Sequence, residues 1–350
     1  MPLKTLKDIS WQVTEEEYRK DPALSYSTLS KYEREGKFDS LPTLFESVST
    51  PSLTFGSMVD SLLLGEPGEF EDRFVVAQLP GITDTLKEIA DKLFTDYGTV
   101  SFDDIPDDAL ASIGAAKGYY AADKFRNYRI KQIRENCKEY FNLRKVSVDK
   151  EMVSLKDFED AKACVDAIKT ASGIEELFIQ NPFNTDVEVF HQLKFKATVM
   201  GVDYRCMMDS CAVDHLSKII FPVDLKTSSK PEWLFFKSFV EWRYDLQSVL
   251  YAKLLKETIA KDEFYRNYKV ADYTFVVVNR RTLRPLKWMF PYTHAEHGWK
   301  YVTPWRTEVS FRSPFEIGQE LKYYLQYPQE VPVGIDKNGN NNIIKFLESR

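Results

Sequence analysis

The sequence predicts an α/β fold: a central mixed sheet flanked by helices, with a helical N-terminal region. Three observations predict it. Residues 186–200, D-V-E-V-F-H-Q-L-K-F-K-A-T-V-M, alternate in polarity and are rich in Val and Phe, as a strand requires. Two further apolar segments, 204–214 and 218–226, follow closely, the first across a Gly201-Val202-Asp203 turn. A helix-length stretch at about 231–258 then precedes two more strands, 273–279 and 286–290, joined by R-R-T-L-R-P.

The other elements are predicted as follows. Residues 10–46 hold short helices, T-E-E-E-Y and S-Y-S-T-L-S-K-Y-E-R, the second capped by Ser25 or Ser27. Residues 52–64, S-L-T-F-G-S-M-V-D-S-L-L-L, form a buried helix closed by Gly65, with Asp60 inside the apolar run. Residues 83–97 and 107–142 are helical, separated by the acidic break S-F-D-D-I-P-D-D. In 154–179, Phe158, Ala161, Cys164, Val165 and Ile168 recur at helical spacing. Residues 314–326 form a last helix, and D-K-N-G-N-N-N opens a flexible tail.

Composition sets limits. The chain has 350 residues, 43% hydrophobic and 29% charged, as in ordinary globular proteins. No apolar stretch reaches membrane-span length, and the N-terminus lacks a signal-peptide core, so a cytoplasmic protein without a membrane role is expected. The four cysteines, Cys137, Cys164, Cys206 and Cys211, form no C-x-x-C pair and are expected as buried free thiols. The H-x-x-H of His294 and His297 is expected in a surface loop. Net charge is −6, yet residues 117–150 carry ten Lys or Arg against four acids, with aromatic residues interleaved. That segment is either a solvated helix face or a phosphate-contacting one, with Arg126, Arg129, Lys131 and Arg134 as candidate DNA contacts.

One constellation stands out. Asp209 lies in the apolar strand Y-R-C-M-M-D-S, where a carboxylate should be paired or bound to metal. In F-P-V-D-L-K-T-S-S, Asp224 and Lys226 are two apart on a strand and share a face. Gln247 and Tyr251 are four apart on the next helix and share another. Phosphodiester hydrolysis needs such groups. Two carboxylates hold divalent ions, and a lysine orients the attacking water or stabilises developing charge. Oxygen ligands favour Mg²⁺ or Mn²⁺. Gln247 and Tyr251 would contact the scissile strand. Glu188 is a further candidate acid.

The order D…D-x-K…Q-x-x-x-Y resembles the PD-(D/E)XK nuclease superfamily in its RecB-like branch. The match tightens towards RecE-type exodeoxyribonucleases through E-E-Y-R-K-D-P-A-L-S-Y-S-T-L-S, F-G-S-M-V-D-S-L-L-L-G-E-P-G-E-F-E-D-R-F-V-V and V-E-V-F. The resemblance covers roughly 10–75 and 150–258. It implies a restriction-endonuclease-like core over 151–335, a helical region over 1–150 that contributes one metal-site residue, a tail over 336–350, and one compact domain overall. It implies metal ligands Asp209, Asp224 and the Leu225 carbonyl, with Asp60 standing where the family usually has histidine. It implies 5′-to-3′ exonuclease activity on linear duplex DNA in phage-type recombination, in the host cytoplasm. It further implies a single-strand annealing protein as partner and a ring-like trimer or tetramer. No cysteine follows Cys211, which excludes the iron–sulfur cluster of some relatives. Two alternatives stand beside this: an inactive or weakened DNA-binding protein on the same fold, to which the Asp60 departure points, and a single-strand or flap endonuclease.

Overall fold

The computed structural model describes residues 4–46, 50–77, 82–147, 150–303 and 305–331. The expected tail lies outside them. In chain order the helices and strands are α1 (Leu6–Ile9), α2 (Glu15–Lys20), α3 (Tyr26–Arg34), α4 (Pro51–Leu63), α5 (Glu69–Arg73), β1 (Phe74–Ala77), α6 (Asp84–Tyr97), α7 (Asp107–Ala116), α8 (Arg126–Val146), β2 (Glu151–Ser154) and α9 (Leu155–Thr170). There follow β3 (Val187–Val199), β4 (Val202–Asp214), β5 (Ile219–Ser228), α10 (Phe235–Trp242), α11 (Tyr244–Ile259), β6 (Lys269–Val270), β7 (Tyr273–Asn279), β8 (Leu286–Phe290), β9 (Trp299–Val302), β10 (Glu308–Phe311) and α12 (Pro314–Gln326).

The chain divides into two compact units. A sheet unit takes residues 1–64 and 163–350, and a helical unit takes 65–162. This division differs from the expected boundary at 150, and the reason is a staple. Leu24 bridges to Tyr204 of β4. Arg205, buried, donates to the carbonyls of Tyr18, Ala23 (3.0 Å) and Arg19 (3.4 Å). The N-terminal helices are thereby tied to the sheet, and a buried guanidinium satisfied by carbonyls is costly to release.

The sheet is mixed, in the order β3-β4-β5-β7-β8, with short β6 also beside β5. β3, β4 and β5 form an antiparallel meander. β5 and β7 are parallel, so α10 and α11 form the crossover between them. β7 and β8 pair antiparallel as expected. The core joins sheet residues such as Phe195, Tyr204, Met208, Phe275 and Val277 to Leu246, Leu250 and Leu254 of α11 and Ile317 and Leu321 of α12. All four cysteines are buried free thiols. No helix among the described residues is long and apolar enough to cross a membrane.

Local chemistry sets the helix ends. Ser25 caps α3 by accepting from the Thr28 N–H, and Thr50 with Pro51 starts α4. Ser313 and Glu316 form a capping box on α12. Two expected helices are each broken. The stretch 107–142 divides into α7 and α8 at a turn where Gly118 and Tyr120 adopt left-handed backbone. The stretch 231–258 divides at Arg243, also left-handed at φ 57°. Its guanidinium is held by Asp245 through two 3.0 Å bonds and by Glu33 at 3.0 Å. That buried network outweighs helix continuity.

In the helical unit, Leu86, Ile89 and Leu93 of α6 pack with Leu110 of α7 and Ile133, Cys137 and Phe141 of α8. The basic segment lies here. Arg129 is only 3% exposed: its stem lies against Gly114 of α7 and its guanidinium donates to the Tyr120 carbonyl. Arg126 pairs with Asp108, Arg134 with Asp107 at 2.7 Å, and Lys138 with Asp103 at 2.6 Å. The acidic break thus neutralises much of the basic helix. Arg129 is removed from the set of phosphate contacts by burial, and Arg126 and Arg134 already have carboxylate partners. Lys131 alone of the four faces solvent with only a loose 3.9 Å pair to Glu135.

Candidate active site

The site forms where β4 and β5 part. Their ladder runs from Asp214↔Ile219 to Ser210↔Val223. One step further along that register, Asp209 faces Asp224, and opposed residues on an antiparallel pair share a face. The ladder stops because a side chain takes it over: Oδ2 of Asp209 accepts the Leu225 N–H at 2.7 Å. On the other neighbour, β3, pairing also skips this level. His191↔Ser210 and Leu193↔Met208 are paired, while Gln192 between them is left-handed at φ 52°.

Asp224 is 1% exposed. Its Oδ1 accepts from Nε2 of Gln247 and its Oδ2 pairs with the Lys226 ammonium. Oδ2 nonetheless has no aligned hydrogen-bond donor, and neither has Oε1 of Gln247. Asp209 is half-buried. Its carboxyl is held well above the usual carboxylate range, first by burial and then by the charges of Asp224 and Asp60. Burial alone would lower Lys226, but Asp224, Tyr244, Asp209 and Tyr26 together outweigh it, so the group is raised. Lys226 is therefore a fixed cation at neutral pH, not a base.

Asp60 comes from α4, which packs on β5. The approach is close at Gly56, where a Cβ would meet Oγ1 of Thr227 at 3.4 Å, an ordinary van der Waals contact. Asp60 is one turn further on and half-buried. It is near enough for its charge to raise Asp209. Yet among the described residues no three His, Cys, Asp or Glu side chains are grouped closely enough to hold a metal ion. The expected set Asp60, Asp209 and Asp224 is not drawn into a closed cage.

The donors present still fit a hard divalent cation. They are all oxygens, Oδ2 of Asp224 is buried with the Lys226 ammonium as its charge partner and no aligned hydrogen bond, and the carboxylates repel one another. Mg²⁺ in particular is commonly held by one or two carboxylates and several waters. The Leu225 carbonyl points to the same side of β5 as its N–H, towards Asp209.

Three expected residues need correction. Tyr251 is buried, its ring edge-on to Tyr273 at 6.2 Å, and packs in the core within reach of the charges of Asp224 and Asp209 instead of standing on an exposed helix face. Gln247 is 3% exposed and orients Asp224 instead of contacting a strand. Glu188 pairs opposite Val213, towards the far end of the hairpin, and hydrogen-bonds Nε2 of His215 at 2.9 Å. Gln192, level with Asp209, is four residues from Glu188, about 13 Å along a strand.

Sequence reasoning missed two aromatic residues. The Lys226 ammonium lies 4.9 Å from the Tyr244 ring centroid, and the Tyr26 ring is 6.1 Å from that of Tyr244. Tyr26 and Ser30 both donate to the Trp242 carbonyl at 2.8 Å. Tyr26 falls within L-S-Y-S-T-L-S, so the signal was present, though attached to no chemistry.

No family model and no curated protein matches the chain. Among solved structures it is similar to a Eubacterium rectale protein named "Putative exonuclease", over 91% of this chain and 85% of that one, at 12% identity and a TM-score of 0.38. A likeness of that size carries no inference about activity.

Proposed function

We propose that the protein hydrolyses phosphodiester bonds of DNA with Mg²⁺ or Mn²⁺ held at Asp209 and Asp224. The observation that carries this is the facing carboxylate pair with Lys226 on the same strand face. When bound, the divalent ion lowers the pKa of a water and neutralises charge on the phosphate. The protein's own residues do the rest. Asp209 and Asp224 hold the ion, Gln247 fixes the rotamer of Asp224, and Leu225 fixes that of Asp209. Lys226, positioned by Tyr244 and Asp224, places a fixed positive charge where negative charge develops on the phosphate. Asp60 adds negative charge that strengthens cation binding without needing to touch the ion.

Exonuclease action on linear duplex ends is the finer reading. Its support is the order of motifs in the sequence, and 5′-to-3′ polarity, an annealing partner and a ring assembly rest on the same resemblance. Incubation of linear and covalently closed duplex DNA with Mg²⁺ or Mn²⁺ tests it. Degradation of the linear form alone is expected. Cutting of closed circles would replace the exonuclease reading with an endonuclease one, and no cleavage with either ion would overturn the proposal.

A further inference from the structure

The turn that joins β7 to β8 carries a concentration of positive charge outside the carboxylate site. Residues 273–295 contain no Asp or Glu but include Arg280, Arg281, Arg284 and Lys287, in a chain of net charge −6. The three arginines are exposed. Arg281 and Arg284 have no carboxylate partner among the described residues.

The turn is built rather than loose. Asn279, 2% exposed, accepts from the N–H groups of Arg281 (2.8 Å) and Thr282 (3.2 Å) through Oδ1. Its Nδ2 donates to the Lys230 carbonyl at 2.9 Å, and its own carbonyl accepts the Leu283 N–H at 3.0 Å. Thr282 hydrogen-bonds the Glu232 carboxylate. A buried amide thus fixes the backbone that displays the guanidinium groups.

The turn also continues the strand that runs alongside Asp224 and Lys226, on the Lys226 side of the site. In the parallel β5–β7 register, Lys226 is opposite Val277 and Ser228 is opposite Asn279, so the turn begins one residue past that pairing. Arg280 is three residues beyond Val277, about 10 Å along the strand direction. That is roughly three nucleotide steps at 3.4 Å each. A second contact ties it there: the Arg280 guanidinium lies 5.5 Å from the Phe55 ring centroid, on the helix that also carries Gly56 and Asp60.

We infer that this turn is the phosphate-tracking element that seats duplex DNA beside the scissile bond, with Arg281 and Arg284 on successive backbone phosphates. The planar guanidinium fork suits phosphate oxygens, and backbone contacts give register without sequence preference. The inference rests on the proposed DNA hydrolysis and replaces the α8 helix, whose arginines are buried or paired, as the electrostatic track.

The test is a double variant, Arg281→Gln with Arg284→Gln. Binding to a blunt linear duplex is measured by fluorescence anisotropy over a range of salt, without divalent cation and, on an Asp224→Asn background, with Mg²⁺. Each lost phosphate contact should reduce the log–log salt slope by about 0.9, so the pair should reduce it by about 1.8. Arg19→Gln with Lys20→Gln removes equal charge from α2, where both residues pair with glutamates, and should leave the slope alone. An unchanged slope in the turn variant, or an equal fall in the α2 variant, overturns the inference and leaves hydrolysis standing. Wild-type protein that neither binds nor cleaves DNA overturns both.

Discussion

The backbone N–H of Leu225 donates to Oδ2 of Asp209 at 2.7 Å, and this bond replaces the next rung of the β4–β5 ladder. One carboxylate oxygen therefore holds the two strands at the place where they open, and the other is left for chemistry. Asp209→Asn keeps an acceptor for that N–H but loses the charge. It should fold like wild type and lose on the order of 10²-fold or more in cleavage rate. Asp209→Ala should lose the same activity and also about 1–3 kcal/mol of stability, because the N–H is left unsatisfied. Thermal melts alongside cleavage assays separate the two. Equal melting temperatures for the Asn and Ala variants would mean that the bond does not set the strand geometry.

Gln247 and Tyr251 make opposite kinds of prediction from those that a strand-contacting pair would make. Both are buried, and Gln247 reaches only Asp224 in the site. Gln247→Leu should lower kcat roughly 10-fold or more while leaving KM for DNA near the wild-type value, since an interaction that positions a ligand acts on the chemical step. Tyr251→Phe should cleave at close to the wild-type rate. A raised KM with unchanged kcat in either variant would return that residue to the DNA-contacting surface.

Asp60 contributes charge from α4 rather than completing a closed cage. Asp60→Ala should raise the Mg²⁺ and Mn²⁺ concentrations needed for half-maximal activity. Asp60→His removes the same charge and should raise both requirements as Asp60→Ala does, with the ratio of Mn²⁺- to Mg²⁺-supported activity near the wild-type value. Metal titrations of the three proteins provide the comparison. Superimposable curves would make Asp60 a structural residue of the helix.

Acid should unfold the sheet unit partly through Glu320. Burial alone would raise its carboxyl, but hydrogen bonds from Arg312 and Tyr32 outweigh this and hold it below its ordinary value. A depressed folded-state pKa gives stability that is present above the unfolded carboxyl value, about 4.3. That stability is lost as pH falls through the lower folded value. Denaturant midpoints of wild type should fall more steeply below about pH 5 than those of Glu320→Gln. Parallel pH profiles would show that this pair contributes nothing to acid sensitivity.

Much of the fold was legible because strands and helices here obey simple periods. The strands at 273–279 and 286–290 and the helix at 314–326 have the expected limits. What failed was local continuity. Helix periodicity runs straight through Arg243, and only a tertiary network of Glu33 and Asp245 explains why the backbone turns left-handed there. The boundary at 64 was equally hidden, since it depends on Arg205 reaching the carbonyls of Tyr18 and Ala23 across the fold. At the site, Asp209, Asp224 and Lys226 were legible because a carboxylate in an apolar strand and a same-face Asp–Lys pair are both unusual. The roles of Gln247 and Tyr251 were not, because four-residue spacing says which helix face is shared and not whether it is buried. The acidic break at 101–108 was visible, but its neutralisation of the basic helix required the α7–α8 packing.

The most direct test of the account is single-turnover cleavage of an end-labelled linear duplex by wild type, Asp224→Asn and Lys226→Ala, each shown to be folded, with Mg²⁺ and with Mn²⁺. The account predicts metal-dependent cleavage by wild type and a loss on the order of 10²-fold or more in both variants. Wild-type protein inert with either ion, or a near-normal rate in either variant, would contradict it.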